Sequence, residues 1–141
     1  MIGPSVEIYH RENAMKLVRQ DNGFDCGIAV AAMVAGVSWA KAAAKDREAH
    51  PNAIEGLSVN ELVWLCGELG TTVKAKKVAS PALDKAAPPK GTVAILIRRK
   101  GTYRGHFVAL DKGSILDPEL GRCNLATYPR RHWLVLRWFV A

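Results

Sequence analysis

No stretch of this chain stays apolar for long enough to cross a bilayer, and Met1 to Lys16 holds no apolar core of the kind a secretory signal needs. Cysteine is sparse. Cys26, Cys66 and Cys123 form an odd set without paired spacing, which argues against a disulfide framework and for a reducing compartment where a thiol nucleophile survives. The expected address is the cytoplasm, with delivery into another cell left open. Metal-ligand spacing is missing too: the three cysteines and four histidines make none of the patterns of a zinc site, and nothing points to a cofactor. Repeats, low-complexity tracts and linkers are all lacking. Residues 1–141 therefore read as one domain, large enough to bury a core without covalent help.

Aromatic residues make up 7% of the chain and are not interleaved with its positive charges. The net charge of +7 gathers at Lys74-Lys76-Lys77, Arg98-Arg99-Lys100 and Arg130-Arg131. These clusters fall at expected strand ends and turns, where a solvated face is the usual explanation, and no nucleic-acid motif accompanies them. Such a charge suits acidic partners or substrates better than nucleic acid. Oligomeric state is left open.

What is present is a polar loop running straight into an apolar helix: Gln20-Asp21-Asn22-Gly23-Phe24-Asp25-Cys26-Gly27, then Ile28 to Ala35, with Gly36 past the end. Asp25 is placed to cap the first turn. Cys26 sits at the positive end of the helix, which favours a thiolate, the form of sulfur that attacks carbonyl carbon. Gly27 keeps the site uncrowded. A free cysteine is more often a small core residue, and Cys66, on the apolar stripe of Leu62, Leu65 and Leu69, is read as one.

The rest of the chain orders itself as helices, then strands. Val6–Tyr9 reads as a short strand, and Glu12–Val18 as a helical turn or an extended lead-in. Ser38 caps a helix through Asp46 that His50-Pro51-Asn52 breaks. Ser58 and Glu61 form a capping box ahead of a helix ended by Gly70. From Thr71 the pattern turns to strands: Thr72–Lys76 with period two, a continuous apolar run at Val93–Ile97, His106–Leu110, Ser114–Asp117 stopped by Pro118, and His132–Phe139. Pro81–Ala87 reads as a short helix and Glu119–Tyr128 as loop. The tryptophans read as packing residues, Trp133 being conceivable as a cleft wall. The fold class is α+β, with an N-terminal helical lobe packed on a C-terminal antiparallel sheet.

A thiol nucleophile needs a base within reach and a group that orients the base. If 106–110 and 114–117 form a hairpin around Asp111-Lys112-Gly113, their outer ends lie together, and His106 and Asp117 become neighbours. Gln20, six residues before Cys26, can bring a side-chain amide to a developing oxyanion, with the Cys26 N–H as second donor.

Gln20-x-x-x-x-Asp25-Cys26-Gly27-x-Ala29 with Met33 and Gly36, followed by Gly105-His106-Phe107-Val108-Ala109-Leu110 and Ile115-Leu116-Asp117-Pro118 with Gly121, resembles the C39 family of papain-like cysteine peptidases. The resemblance spans residues 20–121 in the right order. It does not extend to the Cys-Gly-Ser/Ala-Cys signature of papain and cathepsins. It implies a papain-like two-lobe fold, Cys26 as nucleophile, His106 as general base and acid, Asp117 as its orienter and Gln20 in the oxyanion hole. The expected function is hydrolysis of a peptide bond in a peptide or protein substrate. A peptidase-like module that grips without cutting, and an acyl transferase or isopeptidase on the same triad, are the alternatives.

Overall fold

Three short helices precede the strands in the computed structural model, which describes residues 14–20, 22–23, 25–52 and 56–141. The strand expected at Val6–Tyr9, with the first residues of the lead-in, and the middle of the loop after Asn52 lie outside those residues. Helix α1, Cys26–Ala35, is buried from Cys26 through Met33. Small side chains let it pass through the core without an exposed face, and Gly36 ends it in the left-handed conformation at φ 70°. Helix α2, Trp39–Ala49, starts where Ser38 Oγ accepts from the Lys41 N–H at 3.1 Å, and runs three residues past Asp46. Helix α3, Val59–Glu68, begins with the expected capping box. Its stripe of Leu62, Leu65 and Cys66 faces inward, and burial pushes the Cys66 thiol up to about 11, as befits a packed core thiol.

The strands are β1 Lys74–Lys77, β2 Thr92–Arg98, β3 Gly105–Asp111, β4 Ser114–Asp117, β5 Gly121–Asn124 and β6 Leu134–Val140. They form one antiparallel sheet in the order β1-β6-β2-β3-β4-β5, so the last strand enters between the first and the second. Ala94, Phe107, Ala109, Leu116 and Phe139 face the helices. Ile95, Ile97, Val108, Ile115, Val135 and Trp138 face the other way, where Leu83 and Tyr128 close over them. Burial on both faces is why β2 reads as an unbroken apolar run.

Five expectations need correction. Asp25 stands at the N-cap of α1, but its carboxylate does not cap the first turn. Glu119–Tyr128 is not all loop: it holds β5 and a 3₁₀ turn at Leu125–Thr127, because Gly121 returns the chain to pair with Asp117. The helix expected over Pro81–Ala87 shrinks to a 3₁₀ turn at Leu83–Lys85, since Leu83 and Asp84 donate to the carbonyls of Trp133 and Arg131. The first strand is shifted to Lys74–Lys77 and has no buried face. It is an edge strand, where lysines discourage pairing with a further chain. β6 also starts at Leu134 rather than His132, because the Trp133 N–H closes a turn onto Arg130 O at 3.0 Å.

Candidate active site

Helix α1 lies against β3, the strand that begins with Gly105-His106, so packing brings the start of the helix toward the imidazole. A Cβ on Gly105 would fall 2.8 Å from Leu96 Cδ1, so a side chain there would displace that methyl group beside His106. The β3–β4 hairpin has the expected form. Its register sets Leu116 opposite Ala109, which leaves Asp117 one diagonal step from His106.

Asp117 is fully buried and accepts from five directions. His106 Nε2 reaches Oδ1 at 3.0 Å, as do the backbone N–H groups of Glu119 at 2.8 Å and Leu120 at 3.2 Å. Tyr128 Oη donates to Oδ2 at 2.6 Å, and Arg130 Nη1 at 2.7 Å. Burial alone would raise this carboxyl, but the hydrogen bond and charge of His106, with Tyr128 and the Glu119 N–H, hold it well below the usual carboxylate range. Tyr128 goes the other way: burial first, and then the Asp117 charge, keep the phenol protonated as a donor.

Burial alone would lower the pKa of His106. Asp117 and Cys26, each by hydrogen bond and by charge, overcome it and push the imidazole up to about 9. Arg130 Nη1 also stands 3.1 Å from His106 Nε2. A nitrogen that carries the proton shared with Asp117 cannot accept a second one, so Arg130 is held there by Asp117 and is a neighbour of the ring. With Nε2 given to Asp117, Nδ1 is the nitrogen left for the Cys26 sulfur. Trp133 meets the His106 ring edge-on, with centroids 6.4 Å apart, and carries the Arg130 guanidinium 4.9 Å above its own ring. Arg130 also pairs with Glu119.

Cys26 is 8% exposed, and that small face opens into a cleft of about 1060 Å³ shared with His106. Leu57, which would crowd any Cβ at position 27 at 3.0 Å, forms one wall. Leu136 forms part of another. It is the residue left over where the β2–β6 register shifts between Leu96/Arg137 and Ile97/Val135, and this bulge turns it toward the cleft. Among the described residues there is no cluster of His, Cys, Asp and Glu that could hold a metal ion. Nor is any single helix there long and apolar enough to cross a membrane.

The structure thus brings Cys26, His106 and Asp117 together and sets Gln20 nearby with a different engagement. The Gln20 main-chain N–H donates to Pro118 O at 3.1 Å, which ties the loop beside Asp117. Its Nε2 donates to Asn22 O at 2.6 Å, and it is not among the residues that line the cleft. Sequence reasoning missed Tyr128 and Arg130 and left Trp133 undecided. Nothing in their local sequence marks them, and Arg130-Arg131 reads there as one of the solvated charge clusters. No protein-family model and no curated protein matches this chain.

Proposed function

We propose that this protein is a cysteine peptidase of papain-like, C39-like architecture that hydrolyses a peptide bond in a peptide or protein substrate. The observation that carries the reading is the chain of contacts from Cys26 through His106 to the buried Asp117, opening into a cleft. A charged imidazole beside a sulfur is what a thiolate nucleophile requires.

In the proposed reaction the Cys26 thiolate attacks the carbonyl carbon, and the C=O electron pair moves onto oxygen. The Cys26 N–H, at the start of α1, donates to that oxyanion. Gln20 Nε2 supplies the second donor through the N–H that Asn22 does not use. His106 gives its Nδ1 proton to the departing amine as the C–N bond breaks, leaving a thioester. Water then loses a proton to His106, attacks the thioester and releases the acid and Cys26. Asp117 stays ionised throughout and stabilises the imidazolium.

The engagement of Gln20 with Asn22 O favours one other reading, a module that binds a peptide without cutting it. Replacing Cys26 by Ala separates the two. Turnover of a quenched peptide library is expected to fall on the order of 10⁵-fold or to the assay floor while the far-UV spectrum is kept. Iodoacetamide at neutral pH is expected to label Cys26 ahead of Cys66 and Cys123. Preferential labelling of either other thiol rejects the peptidase reading.

A further inference from the structure

Tyr128 is fully buried in the core on the face of the sheet away from the helices, and its hydroxyl is the one polar atom its side chain carries there. The chain around it fixes the ring. Asn124 Oδ1 accepts from the Ala126 N–H at 3.0 Å and opens the 3₁₀ turn. The Tyr128 N–H then donates to Leu125 O at 3.3 Å, and Tyr128 O accepts from the Arg131 N–H at 3.1 Å and from Arg131 Nη1 at 3.2 Å. Arg130 comes to the same place along the cleft wall. Its carbonyl closes the turn onto the Trp133 N–H, its guanidinium lies over the Trp133 ring, and its Nη2 pairs with Glu119.

The two residues meet on one oxygen of Asp117. Tyr128 Oη at 2.6 Å and Arg130 Nη1 at 2.7 Å occupy Oδ2, while His106 Nε2 and the N–H groups of Glu119 and Leu120 occupy Oδ1. A carboxylate with each oxygen given to its own donors cannot rotate without breaking hydrogen bonds on both sides, so Oδ1 stays turned to the imidazole. The donors on Oδ2 also draw charge from the oxygen that faces His106, and Arg130 sets a positive charge 3.1 Å from Nε2. Cys26 from α1 and Asp117 from β4 pull the other way, and Ile97, opposite His106 on β2, is apolar. Arg99, Arg104 and Glu119 line the cleft that the ring shares. An imidazolium gripped too tightly by its acid and its sulfur is a poor donor to a leaving amine, so a counterweight serves the reaction.

We infer that Tyr128 and Arg130 are positioning residues for the peptidase reaction, which act through Asp117 to fix the His106 ring and to ease the release of its proton. Their effect on turnover rests on the peptidase reading. Their hold on Asp117 and His106 rests on the hydrogen bonds alone. Tyr128 and Asp117 are both 0% exposed, so water does not replace a hydroxyl removed from the pair.

The titration of His106, followed by NMR through its ring Cε1–H in the free protein and identified by its loss in His106→Gln, tests this without substrate. Tyr128→Phe, which removes one hydroxyl and keeps the ring in the core, is expected to move that titration upward by about half a pH unit. Arg130→Met should move it further, and Arg130→Lys, which keeps the charge, should move it less than Arg130→Met. Ile95→Val, which takes a methyl group from the same core and no hydrogen bond, should lower stability and leave the titration in place. With the best-cut peptide of the library, Tyr128→Phe is expected to lower kcat about fivefold with KM unchanged, and the alkaline limb of kcat/KM should follow His106 upward. A His106 titration that stays in place or moves downward in both Tyr128→Phe and Arg130→Met overturns the inference, as does a kcat unchanged in both. If the titration moves upward in both and the unmodified protein cuts no peptide, the hold on His106 stands and the peptidase reading falls.

Discussion

Two histidines in this chain are each set between carboxylate and tryptophan, and their surroundings differ in what they can do. His50, just past the end of α2, has Asp46 Oδ1 3.1 Å from Nδ1 and Glu61 Oε2 3.2 Å from Nε2. It meets Trp64 edge-on with centroids 5.7 Å apart. His106 has Asp117 and Trp133 in the corresponding places. Both of the first ring's nitrogens are given to acids, and it staples α2 to α3. The second ring spends one nitrogen on an acid and keeps the other for a sulfur. A histidine between acids is thus a fastener. A histidine between an acid and a thiol, at the wall of a cleft, has a proton to exchange.

The comparison breaks first at the acids. Asp117→Ala strips a buried acceptor from Arg130, Tyr128 and His106, and is expected to cost about 3–5 kcal/mol of stability. Asp46→Ala leaves His50 still paired with Glu61 and should cost about 1 kcal/mol. Urea unfolding of the two variants measures both, and near-equal values would erase the distinction. Next comes Gln20→Ala, expected to lower kcat about 10²–10³-fold if its amide meets the oxyanion. A loss under threefold would reduce Gln20 to a loop brace.

The pH dependence sharpens the contrast further. His106 keeps its proton up to about 9, so kcat/KM should fall as pH rises through that value, when the imidazolium that accompanies the thiolate is lost. The folded chain holds this proton where the unfolded chain, with the ordinary value of 6.5, has released it, so stability should also decline as pH rises across that window. Asp117→Asn removes the charge that raises His106 and should move the alkaline limb downward. A limb that stays in place would mean that His106 does not set it. The smallest effect is expected from His50→Ala: about 1 kcal/mol of stability and unchanged kcat/KM.

The parts of the fold that were legible in the sequence rest on local chemistry. Ser38 and the Ser58–Glu61 box announced two helix starts, Gly36 a helix end, and Asp111-Lys112-Gly113 a hairpin. That hairpin was enough to set His106 beside Asp117. What was not legible depends on partners far along the chain. Tyr128 and Arg130 reach Asp117 only because β5 folds back beneath it, and β5 itself was hidden in a polar stretch with weak strand propensity. Asp25 misled for the same reason in reverse: a residue type suited to capping does not cap unless its backbone takes the geometry, and here φ is −94° and ψ is 11°.

The segment from Met15 to Gln20 is fastened to the sheet at several points. The Met15 N–H donates to Asp111 Oδ2 at 3.1 Å, Arg19 Nη1 to Glu119 O at 2.9 Å, and the Gln20 N–H to Pro118 O. Three stitches thus sew this length of chain along one rim of the sheet, the last two at Pro118 and Glu119, next to the carboxylate that steadies His106. Force applied upstream of Met15, by a fused domain, a surface tether or a cut that releases the thread, arrives at Asp117 within a few bonds. Residues 15–20 are thus a rein on the candidate site.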